Sequence, residues 1–262
     1  STLGFYALIG DDLAEVEGRL RKLPQVDFSE LGNLLAHVYH AQGKRMRPAV
    51  TILASRLHLG PREAPIIMGV AVELLHIATL IHDDTIDKAA ERRGRVTISN
   101  AWSSEVAILV GDYVFASSAT HVCDTKDVRV IRRFSETIME LSKGELMEFM
   151  AANDWHQTRQ QYEQRIYNKT ASLFATSAES GAILSGAPES QIQALREYGT
   201  NLGMAFQVVD DILDFEATEE ELGKPVGNDL AQGTLTLPVI LVLEHLGEKR
   251  FSGNNPFAAL FA

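Results

Sequence analysis

Apolar residues recur three and four positions apart along most of the chain, the spacing that gathers them on one face of an α-helix. Glycine and proline cut this pattern into helices expected near 7–22, 29–42, 47–58, 63–89, 101–122, 127–151, 159–186, 189–216 and 235–246. No proline falls between Pro65 and Pro188, so nothing in that stretch forces a helix to break for want of a backbone N–H. Gly43 and Pro48 bracket a short junction, and Gly186-Ala187-Pro188 marks another break. The Glu- and Gly-rich stretch 217–233 reads as a loop. No run of alternating β-branched residues stands out, and there is no internal repeat. The pattern predicts a single all-α domain over residues 1–262.

The most apolar stretch, 66–81, carries Glu73 and His76 and is short for a membrane span. It is expected to be a buried central helix rather than a transmembrane segment. It runs directly into Asp83-Asp84-Thr85-Ile86-Asp87, and a second apolar helix runs into Asp210-Asp211-Ile212-Leu213-Asp214. On a helix turning about 100° per residue, positions four apart lie about 40° from each other, so Asp83 with Asp87, and Asp210 with Asp214, share a face. A single such cluster is usually a solvated or capped helix end. Two of identical spacing, each in an apolar frame, predict carboxylates lining an internal cavity, where their repulsion requires counter-charge. All-oxygen ligands suit a hard divalent cation, Mg²⁺ in particular, bound with substrate phosphates and waters.

The composition, 45% hydrophobic and 23% charged over 262 residues, supplies one sizeable core. The net charge of −11 argues against a general nucleic-acid or anionic-membrane surface, and it gives weight to the few local basic clusters. These are Gly43-Lys44-Arg45-Met46-Arg47-Pro48 at a helix start, Arg92-Arg93-Gly94-Arg95 just past the first aspartates, Lys169-Thr170, and Gly223-Lys224-Pro225. Each alone is commonly a solvated surface charge. Beside two carboxylate pincers they predict two phosphate pockets, one bridged by Mg²⁺ and one held by cations alone. The lone Cys123 excludes an internal disulfide and fits a cytoplasmic location.

These motifs, together with Gly111-Asp112-Tyr113 and Phe206-Gln207-Val208-Val209, resemble the trans-polyprenyl diphosphate synthases over about residues 40 to 238. The resemblance implies an isoprenoid synthase helical bundle with a central active-site cavity, usually a homodimer. It implies Mg²⁺-dependent head-to-tail joining of an allylic diphosphate to isopentenyl diphosphate. Asp83, Asp87 and Asp210 are then the principal metal contacts, with Asp84, Asp211 and Asp214 in support. Arg92, Lys169 and Lys224 bind the allylic diphosphate, and Lys44, Arg47, His76 and Arg93 bind isopentenyl diphosphate. Thr170 and Gln207 turn oxygen dipoles toward the allylic cation. Without the resemblance, His76 reads as a hydrogen-bonded core histidine.

Small residues, Ala78 and Thr79, stand where the resembling family places bulky aromatics to stop short chains, which implies a medium- or long-chain product. Phe115 and Met147 are candidate wall residues. Thr234 stands where many members carry Lys, Val96 where Pro is common, and Glu148 where Gln is frequent. The family usually continues beyond the point reached by Ala262, so C-terminal helices are expected to be missing. The competing readings are a class I terpene cyclase, which needs no Gly-Lys-Arg site, a head-to-head synthase of the squalene synthase kind, whose motifs differ from these, and a non-catalytic or regulatory subunit of a heteromeric prenyl synthase.

Overall fold

The structure, a computed structural model, describes residues 4–39, 43–92, 94–216 and 226–247. Its regular elements are α1 (Gly4–Leu8), α2 (Gly10–Leu20), α3 (Ser29–Tyr39), α4 (Met46–Ser55) and α5 (Glu63–Ile86), then a two-stranded antiparallel ladder of β1 (Glu91–Arg92) and β2 (Arg95–Val96). α6 (Ile98–Ala101), α7 (Ser104–Asp124), α8 (Val128–Met150), α9 (Arg159–Ile166), a π-helical turn (Tyr167–Ala171), α10 (Ser172–Leu184) and α11 (Glu189–Glu216) follow. Two further helices, Asn228–Ala231 and Leu237–Leu246, complete the described chain. The protein is all-α apart from the short ladder.

The chain divides into two compact units, residues 1–135 with 173–199 and residues 136–172 with 200–262. In the first, α5 packs most extensively against α7 and next against α4. Its residues from Val70 to Leu75 are buried on every side, as expected of a helix that is apolar all round. Leu74 and Leu75 are fully enclosed, and each such side chain contributes about 1.5–3 kcal/mol relative to exposure. Ala78 lies in the same cluster with Ile77 and Ile81, and Phe115 packs against it. A Cβ on Gly181 of α10 would fall 2.1 Å from the Thr51 carbonyl oxygen, so only glycine permits that backbone approach to α4.

The core of the second unit gathers Tyr162, Ile166, Leu230, Leu235, Val239, Ile240 and Leu243. α9 starts at a capping box: the Thr158 hydroxyl accepts from the Gln161 N–H, and the Gln161 side chain accepts in return from the Thr158 N–H. α9 then passes into the π turn at 167–171. Such turns hold one extra residue per turn and concentrate at functional sites.

The expected helices correspond to observed ones with several differences: the helix expected over 7–22 is α1 and α2, and the stretch 217–233, read as a loop, holds the helix Asn228–Ala231 among its described residues. The predicted helix 159–186 is α9, a π turn and α10, and the helix expected to reach 89 stops at Ile86, where Asp87 caps it and Lys88 takes a positive φ. α5 and α7 are both long and apolar enough to cross a membrane by length and composition alone. α5 is mostly buried within the fold, whereas α7 buries about a third of its apolar window.

Candidate active site

In the first unit the acidic cluster occupies the C-terminal end of α5. Asp83 is half-buried and Asp87 exposed, while Asp84, between them, turns inward. Arg92 of β1 donates from Nε to Asp84 Oδ1 at 2.6 Å. The tight reversal between β1 and β2, with Gly94 at φ 70°, returns the chain and fixes Arg92 there. Burial pushes the Asp84 carboxyl above its ordinary value, Arg92 pulls it back, and Asp87 adds to the rise. Arg92 therefore neutralises the inward carboxylate while Asp83 and Asp87 stay accessible.

The basic junction before α4 separates into distinct roles. Arg45 sits in the left-handed region at the start of α4 and donates to Glu17 at 2.9 Å and to the buried Glu73 at 2.7 Å. It is a structural cation. Arg47 lies in the first turn of α4 with its guanidinium 4.7 Å from the Phe174 ring centroid. Lys44 is exposed, its carbonyl accepting from the Tyr6 hydroxyl. His76 is half-buried on α5, and its carbonyl accepts from the Thr79 hydroxyl. Arg93 lies outside the described residues.

In the second unit a continuous hydrogen-bonded chain passes through three of the expected site residues. The Thr170 hydroxyl donates to Gln207 Oε1 at 2.7 Å, Gln207 Nε2 donates to Asp211 Oδ1 at 3.0 Å, and the Tyr162 hydroxyl donates to Asp211 Oδ2 at 2.6 Å. Asp211 is thus buried with both oxygens engaged. Burial pushes its carboxyl up, against the opposing hydrogen bonds from Tyr162, Gln207 and the Leu237 backbone and the charge of Arg165. Burial and the same carboxylate push the Tyr162 phenol well above its usual range. Asp214 is also buried; its side chain accepts from the Asp229 N–H at 3.2 Å and its carbonyl from the Gly227 N–H at 2.7 Å. Asp210 is the exposed member of the cluster. The two members that share burial are Asp211 and Asp214, three apart, whereas helical spacing alone pairs Asp210 with Asp214.

Lys169 lies on the π turn. Its ammonium donates to Glu145 Oε2 at 3.1 Å and Glu148 Oε1 at 2.5 Å, both on α8. α8 comes this close because residue 144 is glycine: a Cβ there would stand 2.5 Å from the Lys169 backbone nitrogen. Lys224 lies outside the described residues. Tyr162, Arg165, Glu145 and Glu148 are site neighbours that the sequence motifs do not mark. Of these only Glu148 carries a signal, as a departure from the resembling pattern.

Among the described residues no group of three His, Cys, Asp or Glu side chains is arranged to hold an ion by itself. The accessible carboxylates of Asp83 and Asp87 in the first unit, and separately of Asp210 in the second, are hard oxygen donors. Donors of this kind suit a divalent cation that takes few protein ligands and fills its shell with water and phosphate oxygens.

The polyprenyl synthetase family profile matches residues 28–254. The chain is 42% identical over 238 residues to "Heptaprenyl diphosphate synthase component 2" of Geobacillus stearothermophilus, covering 91% of this chain and 74% of that one. Its fold matches the crystal structure of heptaprenyl diphosphate synthase from Staphylococcus aureus with a TM-score of 0.89 at 38% identity, over 97% of this chain and 83% of that one. It also matches a polyprenyl synthase from Caulobacter crescentus complexed with calcium and isoprenyl diphosphate, with a TM-score of 0.89 at 32% identity, over 98% and 82% of the two chains. The chain belongs to the polyprenyl synthetase family, whose members use divalent metal. It is a trans-prenyltransferase of the polyprenyl diphosphate synthase type.

Proposed function

We propose that the chain catalyses the Mg²⁺-dependent, head-to-tail condensation of an allylic diphosphate with isopentenyl diphosphate, releasing diphosphate and a medium- or long-chain all-trans polyprenyl diphosphate. The observation that carries this reading is the pair of acidic clusters, the first at the C-terminal end of α5 and backed by Arg92, the second near the C-terminal end of α11 and backed by the Thr170–Gln207–Asp211 chain. Asp83, Asp87 and Asp210 hold the metal, with Asp84, Asp211 and Asp214 fixing the local frame. When bound, the metal draws charge onto the leaving diphosphate and so lowers the barrier to breaking the allylic C–O bond.

Arg92 and Lys169 bind the allylic diphosphate, with Lys224 as a third cation. Lys44, Arg47 and His76, with Arg93, hold isopentenyl diphosphate through charge and hydrogen bonds. Thr170 and Gln207, each oriented by its neighbour, present oxygen dipoles that steady the developing cation without supplying a nucleophile to quench it. The double bond of isopentenyl diphosphate forms the new C–C bond, and a released diphosphate oxygen takes the proton lost from the adjacent carbon. On this reading the small side chain of the buried Ala78 admits a long chain where an aromatic ring would block it.

The active species is proposed to be a cytoplasmic homodimer. Ile108, Leu109 and Tyr113 form an exposed apolar strip on α7, the kind of surface a partner subunit covers. A second reading, in which a different subunit covers it, is favoured by the similarity to a protein named as a component. The test is product chromatography after incubation with Mg²⁺, farnesyl diphosphate and labelled isopentenyl diphosphate, with an EDTA control and a parallel measurement of molecular mass. A metal-dependent ladder ending at one length from a species of twice the chain mass is expected. Absence of incorporation by the chain alone, restored by a second subunit, would establish the component reading.

A further inference from the structure

Glu148 stands between two cations. Its Oε1 lies 2.5 Å from Lys169 Nζ, and its Oε2 lies 3.8 Å from Nε of Arg165. Arg165 is buried, and its Nη1 and Nη2 are engaged by the Gln157 side chain at 2.8 Å and the Leu235 carbonyl at 2.5 Å. Its Nε is a buried donor that has no hydrogen-bond acceptor among the described residues. A buried N–H without an acceptor costs stability, so this position favours any carboxylate oxygen that moves about 1 Å closer. Lys169, for its part, is held by Glu145 and Glu148 together, two negative charges on one ammonium.

We propose that Glu148 is a positioning residue that exchanges between Lys169 and Arg165 and thereby sets the affinity for the allylic diphosphate. In the substrate-free protein it clamps Lys169. A diphosphate oxygen arriving at Lys169 displaces it, and the displaced carboxylate closes on Arg165 Nε, satisfying the buried donor. The backbone of Lys169 does not move in this exchange, because Gly144 and the π turn pin it. Glu145 remains as the fixed partner. The competition weakens substrate binding, and the new hydrogen bond from Arg165 offsets part of that loss. This inference rests on Lys169 being an allylic diphosphate ligand.

Replacing Glu148 with Gln keeps its size and removes its charge. Glu148→Gln is expected to lower KM for farnesyl diphosphate about fivefold, equivalent to about 1 kcal/mol, with KM for isopentenyl diphosphate unchanged. The dissociation constant for inorganic diphosphate in Mg²⁺, measured by calorimetry, is expected to fall by the same factor. Glu148→Asp, which keeps the charge, should restore a KM near that of the unsubstituted chain. Glu145→Gln should act in the same direction as Glu148→Gln but more weakly, and it serves as the second variant if Glu148→Gln does not fold. A KM for farnesyl diphosphate that is unchanged or raised in both glutamine variants, or a parallel shift in both substrates' KM values, would overturn the proposal. Turnover by the unsubstituted chain with no such KM shift defeats the exchange alone, whereas no turnover and no diphosphate binding defeat the functional reading and the exchange with it.

Discussion

Gly144→Ala tests the contact between α8 and the π turn. The added Cβ would meet the Lys169 nitrogen at 2.5 Å, the Lys169 Cα at 2.8 Å and the Asn168 carbonyl carbon at 2.9 Å. All three are backbone atoms, so no side chain can swing aside, and ordinary contact requires a separation of about 1 Å more. Forcing one methyl into a packed contact costs about 1–3 kcal/mol, and alanine recovers about 0.8–1 kcal/mol through helix propensity. The net is a destabilisation of up to about 2 kcal/mol. The same clash displaces the Lys169 backbone itself, and a misplacement of this size at a binding group can reduce kcat/KM by about 100-fold. Urea unfolding and steady-state kinetics read the two effects separately. Gly18→Ala is the control: nothing lies within 4 Å of a Cβ added there on α2, so it should stabilise by up to about 1 kcal/mol and leave turnover alone. A Gly144→Ala protein as stable and as active as the unsubstituted chain would refute this account of the contact.

Other substitutions separate structure from chemistry. Asp83→Ala and Asp210→Ala should each abolish metal-dependent turnover with unfolding midpoints little changed, since both carboxylates are accessible; retained turnover in either would remove it from the metal set. Arg45→Met leaves Glu73 buried without its cation and should cost about 3–5 kcal/mol, whereas Lys44→Met should leave stability alone and weaken isopentenyl diphosphate binding. Arg129 and Gln193 hold the Glu189 carboxyl down to about 2, so this pair's contribution is present above the ordinary carboxylate value and is lost as the pH falls toward about 2; carbon-detected NMR titration of Glu189 checks it.

The long helices were legible because each needs a buried face, and burial writes a three- and four-residue period into the chain. The ladder at 91–96 was not, since two-residue strands are too short to show alternation. The π turn was not legible either: one extra residue inside a helix leaves the apolar period on both sides nearly intact, and 159–186 reads as one helix. Within the site, the acidic clusters announced themselves by spacing, but the division of labour inside each did not. Which of Asp210, Asp211 and Asp214 turns inward depends on Tyr162 and on the Asp229 backbone, partners supplied by other segments of the chain. The three cations of the basic junction look equivalent in sequence, and only Glu17 and Glu73 distinguish Arg45 as structural.

The first acidic cluster sits at the end of α5, where backbone carbonyls accumulate negative charge, and α5 has no basic residue in its last turn. A carboxylate in that position opposes the helix macrodipole by about 0.3–1 kcal/mol. On the proposed reading, α5, of 24 residues, is under an electrostatic load that a bound divalent cation would relieve. If the first cluster holds the metal as proposed, part of the affinity comes from relieving that load, and Mg²⁺ alone, with no diphosphate present, should raise the unfolding temperature.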